Sequence, residues 1–419
     1  MDESLLTNND SSRMPEHGSE VKEFNPLRPG WIDNPYPLYR ELLERNPVHY
    51  SSVGAWIITR YQDVRTWIAD QRLSSRPSSA SSYGVGFQQA SSQARMRRSL
   101  LPFLDPPEHT LLRALIRQAF NAESVREMTP RIQINVTRQA EKAFSSGSCD
   151  LLEDLVRPVC LEVVRELLGV PEQDLPKLRQ WSKFFFAIFD PMPSADVHDQ
   201  TQNAINEFRD YLGWFLSDRR ENPGTDVISR LIAARAMGQK LSANDILSTT
   251  LLVFAAGDEN IVNLIGNSML ALMESPAQWE MLCRLESIPS SAIEELLRFA
   301  GPSQFTGRTA REDVEIGGQQ IRAGDVVLLL TACANRDPSQ FEDPDRLDLL
   351  RQDNPHVAFG NGRHHCLGAD LSRAELRCFM DVLRQGYSNL RLDPAPLHWK
   401  QSTAVRGPEK IPVSLIAKP

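Results

Sequence analysis

The stretch from Leu241 to Pro276, LSANDILSTTLLVFAAGDENIVNLIGNSMLALMESP, constrains the fold more than any other part of the chain. Ser242 and Asp245 stand at capping-box spacing and Ser275-Pro276 closes the run, which predicts one helix of about 33 residues. At 1.5 Å per residue such a helix is roughly 50 Å long. Its middle, Leu251 to Ala256, is apolar on every side, so it belongs inside a globular body. Gly257-Asp258-Glu259-Asn260 follows at once. Unpaired carboxylates and amides cost roughly several kcal/mol to bury. These residues therefore either reach the surface or serve a buried site.

The rest of the chain organises around that helix. A length of 419 residues suggests two or three domains by size alone, yet no repeat or linker divides the chain. Residues 1–23 read as a disordered polar tail, and residues 24–419 as one domain. GAWIITRY (Gly54–Tyr61) is strand-like. Arg72 to Ser99 carries nine serines and no periodicity, as a lid or a disordered segment would. Beyond DPPEH the pattern is helical to about residue 300, and short strands return in DVEIGGQQI and GDVVLLLTAC. The expected class is mainly α (α+β), helix-rich with small β-sheets. A net charge of −8 argues against nucleic-acid binding. No apolar run reaches the roughly 18 residues of a membrane span, and the acidic start does not resemble a signal peptide. Six cysteines without a CxxC pair suit a reducing compartment, so a cytoplasmic protein is expected.

One of those cysteines stands in AFGNGRHHCLGADLSRAELRCF, Ala358 to Phe379. His364, His365 and Cys366 are consecutive, whereas a zinc site draws spaced ligands from two segments. A catalytic thiol needs a base, and adjacent residues on an extended segment point to opposite sides. A free cysteine is most often a small hydrophobe. The surroundings favour a fourth role. Gly360, Gly362 and Gly368 allow a tight turn around something flat. Leu367, Leu371, Ala374, Cys378 and Val382 recur at helical steps, so a helix is expected to begin at Cys366. A helix N-terminus stabilises a thiolate. A thiolate behind a glycine turn, with Phe359 to pack against a ring, suits an axial ligand of haem iron.

FGNGRHHCLG resembles the haem-binding signature of the cytochrome P-450 family, and further motifs recur in the family's order. The resemblance spans about Phe24 to Pro412 and is nearest the soluble bacterial class I members. It implies a single-domain cytochrome P-450 fold holding haem b (iron protoporphyrin IX) on the Cys366 thiolate. EELLR supplies Glu295 and Arg298 at ExxR spacing, and FEDPDRL supplies Arg346 as the second arginine of a buried structural network. His109, Arg113, Arg308 and His364 are implied contacts of the haem propionates, with Phe359 and Gly360 beside the ring. Gly257 would admit haem and dioxygen close to the long helix, and Glu259 fits the family's acidic position.

Asn260 departs from the pattern, because family members usually carry threonine there. Three readings stay open: Asn260 organises the water network in threonine's place, the substrate supplies the hydroxyl, or the enzyme runs an atypical oxidation. The implied reaction is monooxygenation with O2 and electrons from a ferredoxin and its reductase. Oxidative C–C or C–N coupling, or peroxide-driven oxidation, is the alternative. A haem binder without catalysis has no positive sequence support. Pocket walls implied by the resemblance are Tyr83, Phe87, Phe185, Val253, Phe305 and Ala404, which suit a mostly apolar, medium-sized, natural-product-like molecule.

Overall fold

The computed structural model describes residues 23–26, 30–77, 98–185, 195–235 and 238–415. The long helix is present as Ala243–Met273, 31 residues. Ser242 Oγ accepts from the Asp245 N–H at 3.1 Å, and Asp245 Oδ2 accepts from the Ser242 N–H at 2.9 Å. This reciprocal cap satisfies two donors that helix geometry leaves without partners. At the other end Pro276 opens the next helix, Pro276–Arg284.

The long helix packs against Arg157–Leu168, Leu175–Phe185, Ser290–Ala300 and Ala369–Gly386. Leu251, Phe254, Ala255, Ile261, Val262 and Ile265 are buried there, in one apolar cluster with Val164, Phe208 and Phe379. Each of these side chains larger than alanine contributes about 1.5–3 kcal/mol on leaving water. The interior placement expected from the sequence is what the structure shows. Among the described residues, no helix is long and apolar enough to cross a membrane.

Among the described residues, ten short strands complete the fold: β1 Val48–Ser51, β2 Ala55–Ile58, β3 Leu73–Ser74, β4 Ser148–Asp150, β5 Thr306–Ala310, β6 Val314–Ile316, β7 Gln319–Ile321, β8 Val326–Leu329, β9 Leu390–Leu392 and β10 Pro412–Leu415. They form a sheet in the order β1-β2-β8-β5-β3, a second in the order β4-β10-β9, and the β6-β7 hairpin. The two tiny strands β3 and β4 and the pair β9 and β10 are too short for a period-2 pattern to reveal them in sequence. Strand β5 runs antiparallel to β8, with Arg308 opposite Val327. That register carries Arg308 into the interior.

Candidate active site

Cys366 lies on the turn that precedes the helix Ala369–Gly386, with Gly368 as that helix's cap residue. The helix therefore begins after the cysteine rather than at it. The turn folds back on itself: the Cys366 N–H donates to the Phe359 carbonyl at 2.9 Å, and the Gly360 N–H to that of Val357 at 2.9 Å. Gly360 and Gly362 hold φ of 71° and 69°, left-handed values that side chains resist. Phe359 is half-buried, with the Arg373 guanidinium 4.8 Å from its ring centre. Arg373 in turn grips Glu294 at 2.8 and 2.9 Å, tying this helix to Ser290–Ala300. Cys366 is solvent-exposed, although surrounding protein still desolvates its sulfur. Desolvation raises its thiol, while the Gly368 N–H, Arg113 and Arg373 pull it down. The net direction is upward, opposite to the expectation from a helix terminus. A metal ion on the sulfur removes the proton outright.

Beside the turn the structure brings His109, Arg113, Arg308 and His364 together. His109 and His364 stand 4.2 Å apart, ring centre to ring centre. Ser75 Oγ is 2.9 Å from His364 Nε2, and Arg113 donates to the His365 carbonyl at 2.7 Å. Arg308 is buried against its own strand, on Thr306 Oγ1 at 3.0 Å and the Gly307 carbonyl at 2.8 Å. Burial lowers Arg308 to about 10. It lowers His109 to about 4, aided by Arg113, and His364 to about 3, aided by Arg308. Among the described residues the buried Nε2 of His109 has no hydrogen-bond partner. Asp105 is the nearby acid, but Arg311, Ser74 and Ser75 already hold it. Four donors with too little negative charge fit a buried dianion such as a pair of carboxylates.

The long helix faces this region with an open stripe. Val253, Ala256, Gly257 and Asn260 are half-exposed, at steps of three and four, while Phe254, Ala255 and Asp258 are buried. Gly257 has a packing reason of its own: a Cβ there would sit 3.0 Å from Val164 Cγ2 on the neighbouring helix. Glu259 turns away from the stripe to Arg157 Nη1 at 3.2 Å, Asn263 Nδ2 at 3.3 Å and Lys400. Burial raises its carboxyl, but Lys400 and Arg157 outweigh that and lower it. Asn260 makes no hydrogen bond among the described residues.

Glu295 and Arg298 are fully buried and paired at 2.8 Å through the guanidinium Nε and Nη2. The second arginine is not Arg346. Its side chain is 68% exposed and, among the described residues, pairs only with Asp343 and Asp348, while its carbonyl reaches Arg298 at 3.4 Å. Arg351 takes the expected place, 3.2 Å from Glu295 Oε2, with Asn354 at 3.0 Å. Arg298 also donates to the Asn335 carbonyl at 2.8 Å, and Asn335 Oδ1 accepts from the Val357 N–H of the cysteine turn. The network thus reaches the turn through Asn335.

The pocket expectations divide. Phe185 is fully buried on Trp181, Phe208 and Phe254, and Phe305 is buried on Phe24, so both are core rings. Val253 and Ala404 are half-buried and remain available as walls. Tyr83 and Phe87 lie outside the described residues.

The sequence marked Asp258 as a carboxylate that is buried or at the surface but assigned it no role. Its carboxylate is buried 3.7 Å from Arg157, neither oxygen has a hydrogen bond, and burial pushes it up to about 6. The folded value lies above the unfolded one, so its contribution to stability is intact below ~pH 4 and lost as pH rises through about 6. Asp258→Asn is expected to stabilise the fold at pH ~8 by roughly 1–3 kcal/mol and by about half as much at pH ~5. Thermal unfolding at the two pH values checks this, and a variant less stable than the parent at the higher one refutes it.

Residues 277–388 match the family model described as cytochrome P-450. The chain is 35% identical over 387 residues to mycinamicin IV hydroxylase/epoxidase of Micromonospora griseorubida, covering 90% of this chain and 94% of that protein. It is 35% identical over 364 residues to nocardicin C N-oxygenase of Nocardia uniformis subsp. tsuyamanensis, covering 86% and 89%. The solved structure of the bacillaene polyketide synthase cytochrome P-450 PksS of Bacillus subtilis superposes with a TM-score of 0.87 at 30% identity, covering 94% of this chain and all of that one. With likeness along most of both chains and one fold beneath it, the chain belongs to the cytochrome P-450 family of haem-thiolate monooxygenases.

Proposed function

We propose that this chain oxidises a mostly apolar, medium-sized, natural-product-like molecule by hydroxylation or epoxidation, with electrons from a ferredoxin and its reductase. The observation that carries the haem site is the group of His109, Arg113, Arg308 and His364 beside the Cys366 turn, with His109 Nε2 buried and unpartnered. Cys366 would hold the iron, those four side chains the propionates, and Phe359 and Gly360 the ring edge. Bound haem supplies reductive O2 activation, and thiolate donation favours O–O cleavage. The protein's part is to position substrate and control protons. Val253 and Ala404 wall the substrate, Asn260 arranges protons at the open stripe, and Glu259 handles protons from behind it. The relatives named for mycinamicin, nocardicin and polyketide chemistry support the substrate class.

Asn260 can donate and accept hydrogen bonds but has no hydroxyl proton to give. In this reading it orients a water that carries the proton. Asn260→Ala is expected to raise peroxide released per O2 consumed several-fold, measured with reduced ferredoxin. Unchanged coupling points to a hydroxyl on the substrate. The same departure from threonine favours the second reading, a coupling or peroxide-driven oxidation. Turnover with reduced ferredoxin and O2 against turnover with peroxide alone decides between the two. Product formed only with peroxide overturns the first.

A further inference from the structure

Glu259 is held from a segment far away in sequence. Lys400 Nζ contacts Glu259 Oε1 and lies 2.8 Å from Asn263 Oδ1, while Asn263 Nδ2 donates back to Glu259 Oε1 at 3.3 Å. Lys400, Glu259 and Asn263 therefore close a triangle between the long helix and the C-terminal segment. That segment is braced for the task. The Lys400 N–H donates to the Gly407 carbonyl at 3.0 Å, Trp399 pairs with Pro408, and Arg406 lies 3.4 Å over the Trp399 ring. Gly407 is needed for the close approach, because a Cβ there would meet Asn263 Oδ1 at 2.1 Å. Between Lys400 and Gly407 lie Thr403, whose buried hydroxyl has no partner, and Ala404, the candidate pocket wall.

We infer that Lys400 is a positioning residue that pins the Glu259 carboxylate from the segment carrying Thr403 and Ala404, so that contact of a substrate with that segment bears on the acid. This inference rests on the reading of Glu259 as a proton-handling group. The other charges around it are fixed by the packing. Arg157 comes from the neighbouring helix at 3.2 Å, with Glu153 behind it at 3.0 Å. Asp258 shares the helix with Glu259, and Ser182 and Glu375 approach Asp258 rather than Glu259. Among the described residues Lys400 is thus one of two cations on Glu259, and the only one carried by the pocket-side segment.

The test uses Lys400→Met, Lys400→Arg, Glu259→Gln and the Lys400→Met/Glu259→Gln double variant. Infrared spectra of the substrate-free holoenzyme, taken as differences against the matching Glu259→Gln protein, isolate the Glu259 carboxyl from Asp258 and Glu375. With Lys400 present the carboxyl stays ionised down through the ordinary range near pH ~4.3. In Lys400→Met its acid band should appear well above that pH, and Lys400→Arg should restore the parent spectrum. Identical titrations in parent and Lys400→Met overturn the inference. Coupling of O2 consumption to product should gain a pH inflection in Lys400→Met that the double variant loses. No inflection, with the band shifted as expected, removes the link to the reaction. If Glu259→Gln alone leaves coupling unchanged, the acid's role fails separately, and the infrared result still decides what Lys400 does.

Discussion

Cys366→Ser yields a folded protein whose reduced carbon monoxide complex lacks the Soret band of thiolate-bound haem, and Cys366→His gives the same result. The loss is complete rather than partial, because a hydroxyl or an imidazole cannot provide the thiolate donation that produces the band. Folding should survive. The residue is exposed on a turn held by backbone bonds from Phe359 and Val357, so its replacement opens no core cavity. Far-UV circular dichroism checks that, and the absorption spectrum checks the ligand. The other cysteines provide the control. Cys160, Cys333 and Cys378 are buried, with thiols raised by burial, as inert packing residues are. Cys378→Ala should keep the band. A thiolate spectrum in Cys366→Ser would mean that another sulfur holds the iron.

Much of this site was legible in the residues. The capping box at Ser242 and Asp245 and the apolar middle of the long helix are local patterns, and the structure shows both. The glycine turn and its cysteine are equally local, with Gly360 and Gly362 in the backbone region that demands glycine. What failed was information that sequence spacing does not carry. Whether the helix starts at Cys366 or at Ala369 depends on where the turn closes its hydrogen bonds, and apolar periodicity does not fix that. Gly257 lies on the open stripe, but no local pattern showed that Val164 from another helix also stands close to it. Phe185 looked like a wall, yet Trp181, Phe208 and Phe254 enclose it. Lys400 is separated from Glu259 by 141 residues, and no local signal marks it. Long-range contacts decide these cases.

The exchange of Arg346 for Arg351 is the sharpest of these corrections, and it makes a separable prediction. Glu295 is wholly enclosed, and its oxygens accept from Arg298, Arg351, Asn354 and the Asp348 N–H. Removing the carboxylate with Glu295→Ala leaves the enclosed Arg298 guanidinium without its counter-charge, at an expected cost of about 3–5 kcal/mol. Arg351→Ala removes one of two cations from a buried acid whose other bonds remain, and about 1–3 kcal/mol is expected. Arg346→Ala touches only exposed partners and should stay within about 0.5 kcal/mol of the parent. Haem retention should follow the same order, since Arg298 holds the Asn335 carbonyl and Asn335 Oδ1 holds the Val357 N–H of the cysteine turn. Denaturant unfolding and the haem-to-protein absorbance ratio measure both quantities on the same three variants. Equal damage from Arg346→Ala and Arg351→Ala would return the second arginine to position 346 and detach the network drawn here from the turn that it supports.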